Sequence, residues 1–398
     1  MNPRLDSTEP YPFERLRHLL DGVTPSALSP IRLSIGEPQH ATPAFIRDAL
    51  VQHLDGLSIY PTTAGTDRLR ETIAAWFVRR YGLDALDPRT QVLPVNGSRE
   101  ALFAFGQAVI DGSRPGPLVG CPNPFYQIYE GAALLAGASP VFLNQTSENG
   151  YSLELDRLPP EIWARVQLLY VCSPGNPHGR VLRLDEWQTL FEQADRYGFV
   201  IASDECYSEI YFDETAPPLG ALEAARVLGR GDYRNLVVFT SLSKRSNVPG
   251  LRSGAVAGDA RILERFLQYR TYHGCAMSLS VQYASIAAWD DEAHVRENRA
   301  LYREKFDTVV PQLSSAIDVA RPEGGFYLWM PVPAAWGGDD ERFGWDLVAR
   351  ANVSVLPGRY MARAVDSLNP GAGRVRVALV ATLDECVDAA RRIISLCI

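Results

Sequence analysis

From about residue 90 the chain alternates short apolar, β-rich runs with amphipathic segments, and this repeat restricts the possible folds more than any other feature. The runs at 91–95, 118–121, 140–143, 166–171, 199–203, 236–240 and 253–258 read as strands. Between them, 98–110, 125–136 and 184–197 place apolar residues at three- and four-residue spacing, as helices with one buried face do. Successive βα units predict a large α/β domain with a doubly wound, mostly parallel sheet. A polar, helix-favouring stretch at 281–317 follows. Strand candidates at 325–330, 353–356 and 374–380, a helix at 341–351 and a C-terminal helix then read as a smaller α+β unit. The residues before about 40 are rich in proline and lack the alternation, so they are expected to pack on this second unit. The expected division is 45–285 for the large domain and 1–44 with 286–398 for the small one. No Ser/Gly-rich linker or repeat separates them, so they should be packed rather than tethered.

Composition excludes several classes of function. The net charge of −8, from 47 acidic against 39 basic side chains, provides no global positive field for nucleic acid or an anionic membrane. No apolar run is long enough to span a bilayer, and the first residues lack the basic-then-hydrophobic order of an export signal, so a cytoplasmic enzyme is expected. The six cysteines include no Cys-x-x-Cys pair and the six histidines no His-x-x-x-His spacing. Neither a disulfide framework nor a metal site is expected.

Of the 39 basic residues, 37 are arginine and only Lys244 and Lys305 are lysine. A chain that uses arginine wherever a positive charge suffices keeps lysine by accident or where a primary amine is needed, since a guanidinium forms no Schiff base. Lys305 lies in a polar run, 299–307, and reads as incidental. Lys244 follows a strand.

Ligands of open α/β sheets bind beyond the carboxyl ends of the strands, and there the polar residues accumulate. Asn96-Gly97-Ser98-Arg99 follows the first strand and opens a helix, so it is either a phosphate site on free backbone N–H groups or a serine cap. Ser173-Pro174-Gly175-Asn176-Pro177-His178-Gly179 holds Asn176 in a fixed turn. Asp204-Glu205-Cys206-Tyr207 places a poorly solvated carboxylate at a strand end, which needs a cationic or hydrogen-bonding partner, whether structural or functional. Ser241-Leu242-Ser243-Lys244 puts the amine at the same edge, eight residues before Arg252. An anion cradle, an amide, a carboxylate and an amine together suit pyridoxal 5′-phosphate. Lys244 would bind its aldehyde, and Ser98, Arg99, Ser241 and Arg252 its phosphate. Asp204 would keep the ring nitrogen protonated so that the ring withdraws electrons.

With these residues in place the chain resembles the fold-type I, class I/II aminotransferases of the aspartate aminotransferase superfamily nearly end to end. The most specific match runs from Ser241 through Lys244, Pro249-Gly250 and Arg252 to Gly254. Ser34-Ile35-Gly36-Glu37-Pro38, Tyr60-Pro61, Asn123-Pro124-Phe125-Tyr126, Asn176-Pro177, Asp204-Glu205-Cys206-Tyr207 and Arg374-Val375-Arg376-Val377 stand in the family's order. The resemblance implies that Lys244, Asp204 and Tyr207 are catalytic and that Tyr126 stacks on the cofactor ring. It implies that Asn176 and Tyr207 hold the ring 3-oxygen, and that Arg376, with Asn176 and the backbone at Gly36, clamps the substrate α-carboxylate. Arg374 beside it reads as a polar face position. Tyr60 would reach the phosphate of a neighbouring subunit, so a homodimer follows. Where the family usually has Thr-Gly after Asn176-Pro177, His178-Gly179 stands here, which leaves the hydrogen bonding of that turn open.

The opening Pro10-Tyr11-Pro12-Phe13-Glu14-Arg15-Leu16-Arg17 and the general course of the chain are similar to bacterial N-succinyldiaminopimelate aminotransferases of lysine biosynthesis. That likeness implies transfer between glutamate and N-succinyl-2-amino-6-ketopimelate. An aminotransferase for aspartate, aromatic or other amino acids, a C–S β-lyase on the same scaffold, and a catalytically silent ligand sensor are the competing readings.

Overall fold

Apolar runs bounded by turn residues become buried strands in the computed structural model, which describes residues 1–397. A short strand β1 (Ile31–Arg32) precedes seven others, β2 (Val92–Val95), β3 (Leu118–Asn123), β4 (Ser139–Asn144), β5 (Val166–Cys172), β6 (Val200–Asp204), β7 (Leu236–Ser241) and β8 (Gly254–Gly258). Four more follow, β9 (Tyr327–Pro331), β10 (Val353–Ser354), β11 (Leu356–Pro357) and β12 (Arg374–Ala378). The main sheet has the order β2-β8-β7-β6-β5-β3-β4. Its strands β4, β3, β5, β6 and β7 pair in parallel, whereas β8 runs antiparallel to both β7 and β2.

That single reversal matters for function. The carboxyl ends of β2, β5, β6 and β7 open on one edge, and the start of β8, with Arg252 just before it, is delivered to the same edge. Every residue of β2, β3, β7 and β8 is buried. Trp76, Trp187 and Trp289 pack in a cluster on one side of the sheet and Phe105, Phe239 and Phe266 in another. Helices therefore cover both faces, as a doubly wound architecture requires.

A second sheet, β11-β12-β9, is antiparallel and is buried with Leu313, Phe343, Leu347 and Ile393 in a core of its own. The amino-terminal segment joins this part by pairing β1 with β10. Its helix Pro12–Leu19 also leans over the cleft at the strand ends, where Tyr11, Pro12 and Phe13 form part of the wall.

Several boundaries differ from the sequence expectation. The stretch 281–317 is two helices, Leu279–Asp290 and Ala293–Leu313. Asp291 interrupts them by accepting the His294 N–H at 2.9 Å, a capping bond that ends one helix and starts the next. The run 353–356 splits into β10 and β11, which pair with different strands. The helix expected at 125–136 starts only at Ile128, and ahead of it the Phe125 N–H donates to the Met361 carbonyl at 2.9 Å. Among the described residues no helix is long and apolar enough to cross a membrane.

Candidate active site

The amine sits where two parts of the structure meet. Ser241 ends β7 and caps the short helix Leu242–Arg245, its Oγ accepting the Ser243 N–H at 3.1 Å, so the next residue of that turn, Lys244, is aimed into the cleft. Lys244 Nζ donates to the Gly36 carbonyl at 2.7 Å. Burial, helped by the facing Arg376 and Arg252, pushes the amine down to about 8. It is thereby much nearer to its neutral, nucleophilic form at physiological pH than a free lysine. Position 36 must be glycine, since a Cβ there would overlap the Tyr327 hydroxyl.

Asp204 ends β6 and is buried, with its carboxyl raised by desolvation. Two neutral donors hold it: the Tyr129 hydroxyl at 2.7 Å on Oδ2 and the Cys206 N–H at 3.2 Å on Oδ1. A carboxylate in such surroundings gains strongly from a cation placed beside it. Tyr129 escaped the sequence reading. The available signal was a tyrosine on the inward face of the helix after β3, where a buried hydroxyl must find a partner.

The anion cradle forms at the start of the helix Ser98–Val109. Its N-cap is Gly97, at φ 86°, which contributes no side-chain cap, so the first-turn N–H groups have no side-chain acceptor from it. Ser98 is thus the first helical residue and not the cap, and its Oγ accepts from Cys206 Sγ at 2.9 Å. The Arg252 guanidinium occupies the space that a Cβ on Gly97 would need. Arg252 itself adopts φ 56°, a left-handed conformation that a non-glycine residue takes at a cost, and donates to the Pro249 carbonyl at 2.9 Å. Ser241, Arg99 and Tyr126 line the same cleft, and Arg99 lies over the Tyr11 ring at 5.3 Å.

Across the cleft, Arg376 on β12 is only 4% exposed. It donates to Asn176 Oδ1 at 3.1 Å and to the Ser34 carbonyl at 2.9 Å, and it lies 4.3 Å above the Tyr327 ring. Its Nε is buried without a partner among the described residues. Tyr207 shares a 2.9 Å hydrogen bond with the Tyr327 hydroxyl. Tyr327, the second residue missed in the sequence, thus connects the Tyr207 and Arg376 sides. Arg374, two residues before Arg376, reaches the Trp329 carbonyl and Ser147 Oγ outside this cleft.

The cleft, about 420 Å³, brings together Gly36, Ser98, Arg99, Tyr126, Asn176, Asp204, Tyr207, Ser241, Lys244, Arg252 and Arg376. Tyr60 is not among them: it is fully exposed on the surface of its own chain. His178 closes its turn with the imidazole, Nδ1 accepting the Arg180 N–H at 3.1 Å, with the ring stacked on Tyr151 at 4.8 Å. Burial and Arg180 push that imidazole down to about 3. The view of Lys305 as incidental is corrected: it is 3% exposed and donates to His40 Nε2 at 2.7 Å. The polar run around it hid an inward-facing position of the helix. Glu100, His273 and Cys275 approach one another within 4.8 Å, but Glu100 is already paired with Arg270 at 2.7 Å.

These groups fit pyridoxal 5′-phosphate: an uncapped helix start beside Arg252 for the phosphate, a buried carboxylate suited to a pyridinium, and a lysine of lowered pKa. The family model for aminotransferase class I and II matches residues 29–393. The structure is similar to that of an aminotransferase from Neisseria meningitidis Z2491, with 52% identity, a TM-score of 0.96 and 100% of both chains covered. LL-diaminopimelate aminotransferase of Desulforudis audaxviator (strain MP104C) is 32% identical over 394 residues, 98% of this chain and 96% of that protein. A structure from Thermus thermophilus, described as "probable N-succinyldiaminopimelate aminotransferase", is 26% identical with a TM-score of 0.84, covering 96% of this chain and 99% of that one. Because the family match takes in the cleft residues from Gly36 on the amino-terminal segment to Arg376 on β12, the chain belongs to the class I and II aminotransferases, pyridoxal-phosphate enzymes of fold type I.

Proposed function

We propose that the cleft transfers an amino group between glutamate and a keto acid of the diaminopimelate skeleton, with Lys244 as the reacting amine. The observation that carries this reading is Arg376, buried, held on two sides and with Nε unpartnered, facing Lys244 across one cleft. A planar guanidinium so fixed binds a carboxylate through two N–H groups, which sets the α-carbon of any amino acid at one place. When bound, pyridoxal phosphate supplies the carbonyl that captures the amine and the ring that withdraws electrons from the α-carbon. Lys244 Nζ, its proton affinity lowered, would take the α-proton and give it up at the carbon of the cofactor's carbonyl group, the proton shift that amino transfer requires. Asp204, dry and held by Tyr129, stabilises positive charge on the ring nitrogen. Tyr207 and Asn176 hold the ring 3-oxygen, Tyr126 covers the ring face, and Ser98, Arg99, Ser241 and Arg252 take the phosphate. The division at 45–285 against 1–44 with 286–398 belongs to the same reading, as do two shared active sites in a homodimer. Leu57 at 69%, Ile59 at 60%, Tyr60 at 100% and Tyr272 at 88% exposure support the dimer, since they place large apolar groups on the surface.

For the substrate, the wall formed by Tyr11, Phe13, Leu356 and Met361 suits a methylene chain. N-succinyl-2-amino-6-ketopimelate is the proposed acceptor, in line with the Thermus thermophilus structure. The second reading, favoured by the name of the Desulforudis relative, has the unsuccinylated keto acid as acceptor and LL-diaminopimelate as its aminated product. A panel of donors and acceptors on the purified protein separates the two. The proposed acceptor should exceed oxaloacetate and phenylpyruvate by at least about tenfold in kcat/KM, ~1.4 kcal/mol of discrimination. Preference for either of those two overturns the assignment. Release of ammonia and pyruvate without an acceptor would indicate a lyase.

A further inference from the structure

The chain's second lysine lies outside the cleft yet is joined to the first by an unbroken line of hydrogen bonds. Lys305 Nζ donates to His40 Nε2 at 2.7 Å, and His40 Nδ1 meets Asn298 Oδ1 at 2.9 Å. Asn298 Nδ2 then donates to the carbonyl of Lys244 at 3.1 Å and to that of Arg245 at 3.4 Å. Each member has one consistent role. An ammonium can only donate, so Nε2 accepts and Nδ1 carries the proton, which requires an acceptor on Asn298. The Asn298 amide is thereby oriented with its NH₂ toward the lysine turn, and Asn247 Nδ2, donating to the same Oδ1 at 2.9 Å, agrees with this orientation.

The segment that carries His40 touches the reactive turn at two further points. The Gly36 carbonyl accepts from Lys244 Nζ, and Thr42 Oγ1 donates to the Asn247 carbonyl at 2.9 Å. Its other end, the Ser34 carbonyl, accepts from Arg376. Lys305 also donates to the Val380 carbonyl at 3.4 Å, just beyond the strand that bears Arg376. Facing it are His40, the Tyr302 ring, and Glu385 and Cys386 of the C-terminal helix. It is a buried cation placed where three segments meet.

We propose that Lys305 is a positioning residue for Lys244: it fixes the tautomer of His40, and His40 fixes Asn298 and so the backbone turn that presents the reactive amine. The inference rests on the reading of Lys244 as the cofactor lysine. It is tested on the cofactor-loaded enzyme by the midpoint of the pH titration of the visible cofactor band, which reports proton affinity at Lys244 Nζ without turnover. Lys305→Met should move that midpoint by at least about half a unit, a roughly threefold change in proton affinity. The second comparison exploits the geometry of the ring. His40→Asn puts an amide N–H where Nδ1 stands and keeps the bond to Asn298, whereas His40→Gln serves only the Nε2 side. His40→Asn should retain the wild-type midpoint, His40→Gln should shift it, and His40→Asn added to Lys305→Met should bring it back. Equal midpoints in His40→Asn and His40→Gln overturn the proposal even if Lys305→Met fails to fold. An unchanged midpoint in a folded Lys305→Met protein also overturns it. Borohydride trapping separates the two levels: an adduct on Lys244 with unmoved midpoints refutes only this inference, while no adduct on Lys244 refutes the reading beneath it.

Discussion

Replacing Arg376 by lysine isolates the contribution of the guanidinium geometry from that of its charge. In the structure two of its nitrogens are spent on Asn176 Oδ1 and the Ser34 carbonyl, Tyr327 supports its plane, and Nε is unpartnered. Each of those two nitrogens carries a second N–H, so a substrate carboxylate can be met by two guanidinium N–H groups at once. A lysine ammonium keeps the charge but offers a single point of contact, so one charged hydrogen bond is lost. Such a bond is worth about 1.5–3 kcal/mol, or roughly 10- to 150-fold in kcat/KM. Because the α-carboxylate is common to every amino acid and keto acid, the loss should be uniform across glutamate, aspartate and the diaminopimelate compounds. Steady-state kinetics over that panel, with cofactor content checked by absorbance, measures it. A loss confined to one substrate would mean that Arg376 reads the side chain. A loss below about threefold would refute the two-point clamp.

Asp204→Asn should retain the cofactor yet lose most of its turnover, measured as kcat at saturating donor, because a neutral amide cannot stabilise a pyridinium in a dry site; near-normal kcat would make Asp204 structural. Gly36→Ala should lower stability by about 1–3 kcal/mol through overlap with Tyr327, whereas Gly131→Ala, in a helix with open space around it, should gain about 0.5–1 kcal/mol; denaturant melts showing both changes neutral would refute the packing argument. His178 stays neutral when folded down to about 3, so between its unfolded value near 6.5 and that pH the unfolded chain binds the extra proton and stability falls as pH falls. Replacing it by glutamine should flatten the acid limb of a Tm-against-pH curve over that window, and an equally steep limb would contradict the assignment.

What could be read in advance and what could not divide along a physical line. The strands of the main sheet were legible because a buried strand is a short apolar run with turn residues at its ends, and the polar residues after those runs locate the ligand edge by topology alone. Lys244 stood out because the chain has almost no other lysine. Lys305 looked incidental because its partner His40 lies 265 residues away, and no local pattern marks such a pairing. Tyr327 was invisible as a site residue for the same reason, and Tyr129 offered only its inward place on a helix, since their roles lie in hydroxyl contacts to Tyr207 and Asp204. The break between the helices at Asp291 depends on one capping bond, and the split of 353–356 on a change of pairing partner, neither of which alters hydrophobic periodicity.

The central claim is that Lys244 is the amine that binds the cofactor. Borohydride reduction of the purified protein followed by digestion and mass mapping tests it with unusual clarity, because only two lysine side chains are present to compete. The account predicts a single pyridoxyl adduct on the peptide containing Lys244 and none on the peptide containing Lys305. An adduct on Lys305, or a protein that retains no pyridoxal species to reduce, would contradict it.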